Sequence, residues 1–213
     1  MINNHNNKVK KFIFLLKNFD ISVFDRSKYI FNPWADLDES DIEKANEVRC
    51  QNLESYLINI ENPKYILIAE SPSKGARYTG IAITSEKVIK EYKLPFQYTS
   101  ANYKRYKKGE STANKVWNEI HKSDNNFAFW NAFAFNIHMQ PDKWFETPLK
   151  EELIQNKQIL NEFINLYPNA RIIALGTTAE FALNIIGINN IECVRHPSND
   201  YKKLFPKQII KYL

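Results

Sequence analysis

Polar side chains that could bind a ligand or transfer a proton follow four apolar segments of this sequence. They are Glu70, Ser71 and Ser73 after the first segment, Asn131 inside the second, Gly176, Thr177 and Thr178 after the third, and His196, Pro197, Ser198 and Asn199 after the fourth. Buried strands of an open α/β sheet are apolar along their length, and ligands bind in the crevice beyond their carboxyl ends. A carboxylate such as Glu70 at that point is positioned for chemistry. We therefore expect these side chains to meet on one rim of a sheet.

Strands and helices are predicted to alternate along the chain. The strands are YILIAE at 65–70, FAFWNAFAF at 127–135, NARIIALG at 169–176 and the start of IECVRHPSND at 191–200. Helical apolar spacing predicts helices at 10–19, from 38 or 40 to about 60, at 86–92, 111–122, 149–166 and 177–186. The N-caps would be Asp38 or Ser40 for the second helix and Ser111 or Thr112 for the fourth. A polar loop is predicted between the first strand and the helix at 86–92. This alternation favours an α/β protein, a three-layer α/β/α fold with a central, mostly parallel sheet of about four strands.

The chain is long enough for one domain with a sizeable core, at 213 residues. We expect 1–213 to be that single domain, with 1–62 as an N-terminal helical arm packed on it. The buried stripe of the arm's second helix would consist of Ile42, Val48, Leu53, Tyr56 and Leu57.

Charge and cysteine content bound the class of protein. Lys and Arg number 29 against 24 Asp and Glu, which gives a formal net charge of +5 and fits a polyanionic partner. Two cysteines, Cys50 and Cys193, are too few for a cysteine-ligated zinc or iron–sulfur site or a disulfide framework, so a reducing cytoplasm is expected. No apolar run approaches the length of a membrane-spanning helix, and the Asn-rich start lacks a secretory signal core.

The motifs of residues 64–200 resemble, in order and spacing, those of the uracil-DNA glycosylase superfamily. AESPS at 69–73 is similar to the Gly-Glu-Ala-Pro-Gly, Gly-Gln-Asp-Pro-Tyr or Met-Asn-Pro-Gly loop after the family's first strand. TGIAIT at 79–84 resembles its Thr-Gly or His-Gly pair, FWNAF offers its strand asparagine, LGTTA at 175–179 its strand–helix turn, and HPS at 196–198 its His-Pro-Ser loop.

The resemblance implies a role for each matched residue in removing a base from DNA. Asn131 would read the edge of a flipped uracil, because its amide offers a donor and an acceptor together. Glu70 would orient the attacking water, and His196 would stabilise the charge on the departing base. The other implied contacts are Gly80, Ile83 and Ser73 to the base, Lys74, Arg77, Gly176, Thr177 and Thr178 to phosphates, and Pro197, Ser198 and Asn199 to the minor groove. It further implies DNA as partner, a monomer, and neither cofactor nor metal.

Three positions depart from the family pattern. Ser71 stands where the commonest enzymes carry a water-activating Asp, so water activation would fall to Glu70 or be weak. Ile83 occupies the place of the stacking aromatic residue, and Ser73 that of the tyrosine that excludes larger bases. These departures favour a changed base preference, or a DNA-binding member of the fold that does not cleave.

A second class of nucleic-acid enzyme also carries a motif like ESPSK at 70–74. In Toprim domains of topoisomerases a similar turn follows the first strand, and a later Asp-x-Asp holds Mg²⁺. The only such triplet here is DLD at 36–38, which precedes the strand. The order of the motifs therefore favours the glycosylase prediction.

Some remaining residues could be functional or merely structural. Glu70 itself could cap its loop, His121 could lie on a helix surface, and His138 could line the site or close a strand end. The run NYKRYKKGE at 102–110 could contact phosphates through Lys104, Arg105, Lys107 and Lys108 or form a solvated basic loop. The tryptophans Trp34, Trp117, Trp130 and Trp144 are predicted to be core residues.

Overall fold

The fold is built around a sheet of four parallel strands. The computed structural model describes residues 2–60, 62–103, 109–121, 127–137, 147–189, 191–200 and 202–213. Its strands are β1 Ile30–Phe31, β2 Tyr65–Ala69, β3 Phe127–Asn131, β4 Asn136–Ile137, β5 Arg171–Leu175 and β6 Glu192–Val194. The main sheet has the order β3-β2-β5-β6, and β1 and β4 form a separate antiparallel pair.

Helices flank this sheet and connect its strands. They are α1 Ile2–Lys17, α2 Ala45–Asn59, α3 Lys74–Thr79, α4 Glu86–Tyr92, α5 Ser111–Ile120, α6 Lys150–Leu166, α7 Thr177–Ile185 and α8 Leu204–Ile209. Short 3₁₀ turns lie at Ile21–Val23, Ser27–Tyr29, Pro197–Asn199 and Ile210–Tyr212. The predicted α/β fold with a central parallel sheet of four strands is confirmed. Among the described residues, no helix has both the length and the apolar character needed to cross a bilayer.

The register of the sheet brings the functional ends of its strands together. Tyr65 on β2 pairs with Phe127 on β3 and with Arg171 on β5, so these three strands begin at one level. Because all run in parallel and have five residues each, they also end at one level. Glu70, Asn131 and Gly176 therefore lie along one edge.

Aromatic residues fill the core beneath this edge. Trp130 on β3 stacks on Phe163 of α6 with ring centroids 4.7 Å apart, and it also stacks on Trp34. Trp34 and Trp130 are core residues, as predicted, whereas Trp117 is half-buried. Trp144 and His138 lie outside the described residues, as do Lys104, Arg105, Lys107 and Lys108.

Several predicted boundaries were wrong. α1 covers Ile2–Lys17 rather than 10–19, and α2 begins at Ala45, because Asp38 and Ser40 bond to each other in a preceding turn. α5 is capped by Glu110 and not by Ser111 or Thr112. The second strand ends at Asn131 instead of continuing to 135.

The buried face of α2 also differs from the predicted apolar stripe. Leu53, Tyr56 and Leu57 are buried, but Ile42 and Val48 are only half-buried. The polar residues Arg49 and Asn52 are buried in their place. The predicted polar loop after β2 is likewise buried, because α3 forms within it and packs against α2.

Candidate functional site

A cavity of about 890 Å³ opens at the carboxyl edge of the sheet. Ten of the residues singled out in the sequence line it: Glu70, Ser71, Ser73, Ile83, Asn131, Gly176, Thr177, Thr178, His196 and Ser198. The carboxyl ends of β2, β3, β5 and β6 and the segments that directly follow them supply nine of them, so the parallel sheet brings these residues together.

Glu70 lines this cavity, and its side chain serves no structural contact with a described residue. No described residue donates a hydrogen bond to its carboxylate, while its backbone carbonyl accepts from the Phe133 amide at 2.9 Å. Burial raises the pKa of the Glu70 carboxyl above its ordinary value. The predicted alternative, a carboxylate that caps its own loop, is not observed. Capping is done by Ser73, whose Oγ accepts from the Ala76 amide at the start of α3.

Two buried asparagines hold the backbone around Glu70 and Asn131. Asn136, one of the polar residues expected after the second strand, donates from Nδ2 to the carbonyls of Pro72 and Ser73. Asn156 on α6 accepts from the Ala134 amide and donates to the Ala132 carbonyl, directly after Asn131. No local signal in the sequence marks Asn156, because its partners are distant along the chain.

Asn131 is the clearest sign that the cavity takes a polar ligand. The residue is 4 % exposed, and its side-chain amide forms no hydrogen bond with a described residue. Most buried polar side chains in native proteins are paired, because an unpaired one costs free energy. The amide of Asn131 is therefore available to a ligand as both donor and acceptor.

His196 lines the same cavity, and its hydrogen bonds define the tautomer of its ring. Its Nδ1 accepts from the backbone amide of Ser198 and lies 2.7 Å from the Ser198 hydroxyl. Because a backbone amide can only donate, the neutral ring carries its proton on Nε2. Burial lowers the pKa of His196, as do the charges of Arg195 and Lys115. The ring is thus held neutral, with Nε2–H as a donor.

Gly176 allows this approach of His196 to the sheet edge. Its φ is 92°, and a Cβ added there would lie 2.8 Å from the Cβ of His196. Gly176 also precedes α7, whose first turn has no side-chain cap. The free amides of this turn, with Thr177 and Thr178 on the cavity wall, form a site of the kind that binds anions.

Ile83 lines the cavity in a strained backbone conformation. Its φ is 49°, in the left-handed region that β-branched residues rarely adopt, and its side chain is 4 % exposed. Its carbonyl accepts from Nε1 of Trp117 on α5 at 2.9 Å, which fixes the strained turn. Such strain is most often found at functional sites.

Arg77 does not lie on the predicted DNA surface. Its side chain is 1 % exposed, forms an ion pair with Asp38 and lies 3.9 Å from the centroid of the Phe31 ring. Asp41 is paired in turn with the buried Arg49 of α2. The prediction that Arg77 contacts DNA was wrong, because the guanidinium closes a buried ionic network.

The predicted base contact of Gly80 was also wrong. Gly80 ends α3 with a φ of 76°, and a Cβ there would lie 2.8 Å from the Arg49 carbonyl, so the glycine serves helix packing. Lys74 and Pro197 do not line the cavity, and the Pro197 carbonyl accepts from Lys115 Nζ at 2.8 Å. Asn199 lies in the 3₁₀ turn beside the cavity.

Cavity residues that were not predicted to belong to the site include Glu110, Arg195, Leu204 and Gln208, together with Ser111 and Thr112, which were predicted only as helix caps. The one local signal for Glu110 is its position as an acidic residue directly before the helical pattern of α5.

Among the described residues, no cluster of three or more His, Cys, Asp or Glu side chains could hold a metal ion. The carboxylates of the DLD triplet lie outside this cavity, since Asp38 pairs with Arg77 and Asp36 accepts from the Asn32 amide.

The sheet order and the position of the cavity define an α/β protein with a cavity at the carboxyl edge of a four-stranded parallel sheet. The chain is similar in fold to wild-type SMUG2 of Pedobacter heparinus, a member of the uracil-DNA glycosylase superfamily, whose crystal structure superimposes with a TM-score of 0.58 at 16 % identity. The likeness covers 96 % of this chain and 94 % of that chain. At this identity it establishes the fold. No family model and no curated protein matches the chain.

Proposed function

We propose that this protein is a monomeric DNA glycosylase that flips uracil or another deaminated or damaged base into the cavity and excises it by hydrolysis. The observation that carries the proposal is the unpaired amide of Asn131 in one cavity with the free carboxylate of Glu70 and the Nε2–H of His196. Together they offer base readout, water activation and stabilisation of a leaving anion.

Recognition would depend on Asn131. Its amide can donate to a carbonyl oxygen and accept from the neighbouring ring N–H, which is the edge that uracil presents and cytosine lacks. Oxidised or deaminated purines with the same carbonyl and N–H edge satisfy this amide equally well. By the resemblance, Ser73 stands in place of a tyrosine, which would leave room for such bases, and Ile83 stands in place of an aromatic residue, which would change the preferred base.

Hydrolysis would proceed with little covalent help from the protein. The bond between C1′ and the base nitrogen breaks, its electron pair leaves with the base, and the sugar becomes cationic. Water then bonds to C1′ and gives a proton to Glu70, while His196 Nε2–H donates to the oxygen of the base anion. Glu70 serves this step only when ionised, and His196 donates in its neutral form.

Binding would place phosphates against donors along the cavity edge. The free amides of α7, with Gly176, Thr177 and Thr178, suit one phosphate group. The turn that contains Ser198 and Asn199 would enter the minor groove beside the flipped nucleotide. The net charge of +5 favours the approach of DNA in general.

The test is base release in the presence of EDTA. Labelled oligonucleotides that contain uracil, hypoxanthine or xanthine are incubated with the protein, and abasic sites are then cleaved with alkali. We expect strand breaks with wild type, and a loss of at least about 100-fold in Glu70→Gln and in His196→Ala. Glu43→Gln and His121→Ala, which change exposed residues outside the cavity, are the matched controls.

The second candidate function is binding of DNA without cleavage. The observation in its favour is Ser71, an uncharged residue on the cavity wall, at the position where the resemblance to the uracil-DNA glycosylase superfamily leads us to expect a water-activating Asp. Binding to uracil-containing or abasic DNA, with no base released at high protein concentration, would establish that function in place of the first. Cleavage that needs added Mg²⁺ would contradict both.

A further inference from the structure

A second carboxylate, that of Glu110, lines the cavity that contains Glu70. Glu110 immediately precedes α5, and Ser111 and Thr112 of that helix line the same wall. α5 also packs against the 3₁₀ turn that follows His196. Lys115 of α5 donates a hydrogen bond to the Pro197 carbonyl in that turn. The position of Glu110 is therefore coupled to the loop that carries the catalytic histidine.

Glu110 is held in place by contacts on both of its sides. One carboxylate oxygen accepts from the Thr112 amide at 2.8 Å and the other from the Ala113 amide at 2.7 Å. On the opposite side a Cβ added to Gly75 would lie 3.0 Å from the Cβ of Glu110, so only glycine lets α3 pack this closely. Each oxygen accepts one protein hydrogen bond and keeps a lone-pair direction for a ligand.

The residue type is unusual for the position. Short side chains such as Ser, Thr, Asp and Asn are preferred at helix N-caps, and a longer one adds a cost in side-chain entropy. Burial raises the pKa of the Glu110 carboxyl in spite of its two backbone hydrogen bonds. A half-buried carboxylate with a raised pKa in a cleft is typical of a functional site. The unpaired amide of Asn131 indicates independently that this cleft takes a ligand.

We propose that Glu110 faces the flipped nucleotide and, together with Glu70, stabilises the positive charge that develops on its sugar. The proposal rests on the proposed glycosylase function, since it concerns the same cavity. Fixed negative charge on this wall repels phosphate and attracts a cation, whereas His196 and the first turn of α7 attract an anion. The cavity is thus polarised as bond cleavage requires, and Glu110 supplies a charge that Ser71 does not.

The test compares two abasic DNA duplexes that differ only in charge at the sugar position. One carries a pyrrolidine nucleotide analogue, which is cationic, and the other its neutral tetrahydrofuran counterpart. Fluorescence anisotropy at fixed salt should show that wild type prefers the cationic duplex by about tenfold or more, since it mimics the transition state. Glu110→Gln should lose most of that preference while its affinity for the neutral duplex stays the same.

A second variant separates this role from helix capping. Glu110→Asp retains the charge and a good N-cap but withdraws the carboxylate from the cavity by one methylene group. It should remain folded, as shown by an unchanged melting temperature, and lose the preference as Gln does. Glu119→Gln on the same helix, outside the cavity, is the control. Equal weakening of both duplexes in the Glu110 variants would overturn the proposal, as would full retention of the preference.

Failure of this proposal can be told apart from failure of the proposed function. If wild type releases no base but prefers the cationic duplex through Glu110, the glycosylase function fails and the cation site stands. If wild type releases a base and Glu110→Gln does so at the same single-turnover rate, the glycosylase function stands and the role of Glu110 is refuted.

Discussion

At the residue scale, the site is distinguished by polar groups that the fold itself does not use. Most buried polar side chains here serve the structure: Asn136 and Asn156 bind backbone groups, and Arg49 binds Asp41. Asn131 and Glu70 both line the cavity, and their side chains have no such partner among the described residues. This contrast, more than residue type, marks the pair as functional.

The pKa of Glu70 leads to a prediction about the pH dependence of base release. Only the ionised carboxylate can accept a proton from water, and burial raises the pKa of Glu70 above 4.5. The single-turnover rate should therefore fall as the pH is lowered through that raised pKa, at a higher pH than for an exposed glutamate. Rates measured from about pH 4 to about pH 8 would show this acid limb. The control Glu43→Gln should show the same fall in rate at low pH. If Glu70→Gln retains a residual rate with an unchanged fall at low pH, the titrating group is not Glu70.

At the scale of elements, the segments that form the cavity wall pack closely against one another, and glycines allow this packing. Gly176 lets β5 and its loop lie against His196, and Gly75 lets α3 lie against Glu110. The strained turn at Ile83 is tied to α5 through Trp117. The cavity wall is thus assembled from loops that depend on one another.

Gly176→Ala should damage the site more than the stability of the fold. A methyl group there would lie 2.8 Å from the Cβ of His196 and force the imidazole aside, in addition to strain at a φ of 92°. We expect a loss of about 2 kcal/mol in the free energy of unfolding and loss of base release. Urea denaturation and the alkali cleavage assay would measure the two effects.

Gly187→Ala provides the matched control. Its φ of 85° imposes a similar strain, but the nearest atom to an added Cβ is Lys157 Nζ at 3.6 Å, and the position lies outside the cavity. It should lose comparable stability and keep its activity. Equal loss of activity in both variants would show that strain alone, and not the displacement of His196, is responsible.

At the scale of the whole molecule, a buried ionic network joins α2, α3 and the turn before α2. Arg77 pairs with Asp38, and Arg49 pairs with Asp41 and donates to the Asp36 carbonyl. The network holds α3, and hence the loop that contains Glu70 and Ser73, against the N-terminal part of the chain. We propose that residues 1–62 form an N-terminal arm of a single domain that spans residues 1–213.

Substitution of Arg77 should cost stability and leave DNA contacts unchanged. Arg77→Met would leave Asp38 without its charged partner and should lower the free energy of unfolding by about 3 kcal/mol. This value is at the low end for a buried pair, because Asp38 is 31 % exposed. The folded variant should bind DNA with the same salt dependence as wild type, since no phosphate contact is removed. Lys87→Met, which removes an exposed ion pair with Glu91 on α4, should leave the unfolding free energy nearly unchanged. If the salt dependence of DNA binding is weaker in Arg77→Met than in wild type, Arg77 contacts DNA after all.

Much of the architecture was predictable because its signals are local. Apolar runs bounded by turn residues identified the four strands, and helical spacing identified α4 at 86–92 and α6 within a residue of its start. A parallel sheet then requires the strand ends to share an edge, which is why ten of the predicted site residues line one cavity. The family motifs of residues 64–200 pointed to the fold for the same reason, since each motif occupies a strand end.

Only the tertiary structure decided which charged and polar residues face the cavity. Arg77 was predicted to contact DNA and is buried, because its partner Asp38 is 39 residues away and no local pattern pairs them. Glu110 was overlooked and lines the cavity, because Gly75 and the first turn of α5 enclose it. The sequence by itself determined the strands, their order along the chain and the polar residues at their ends. Burial and pairing depend on contacts between distant segments, so the composition of the site emerged only when those segments were packed together.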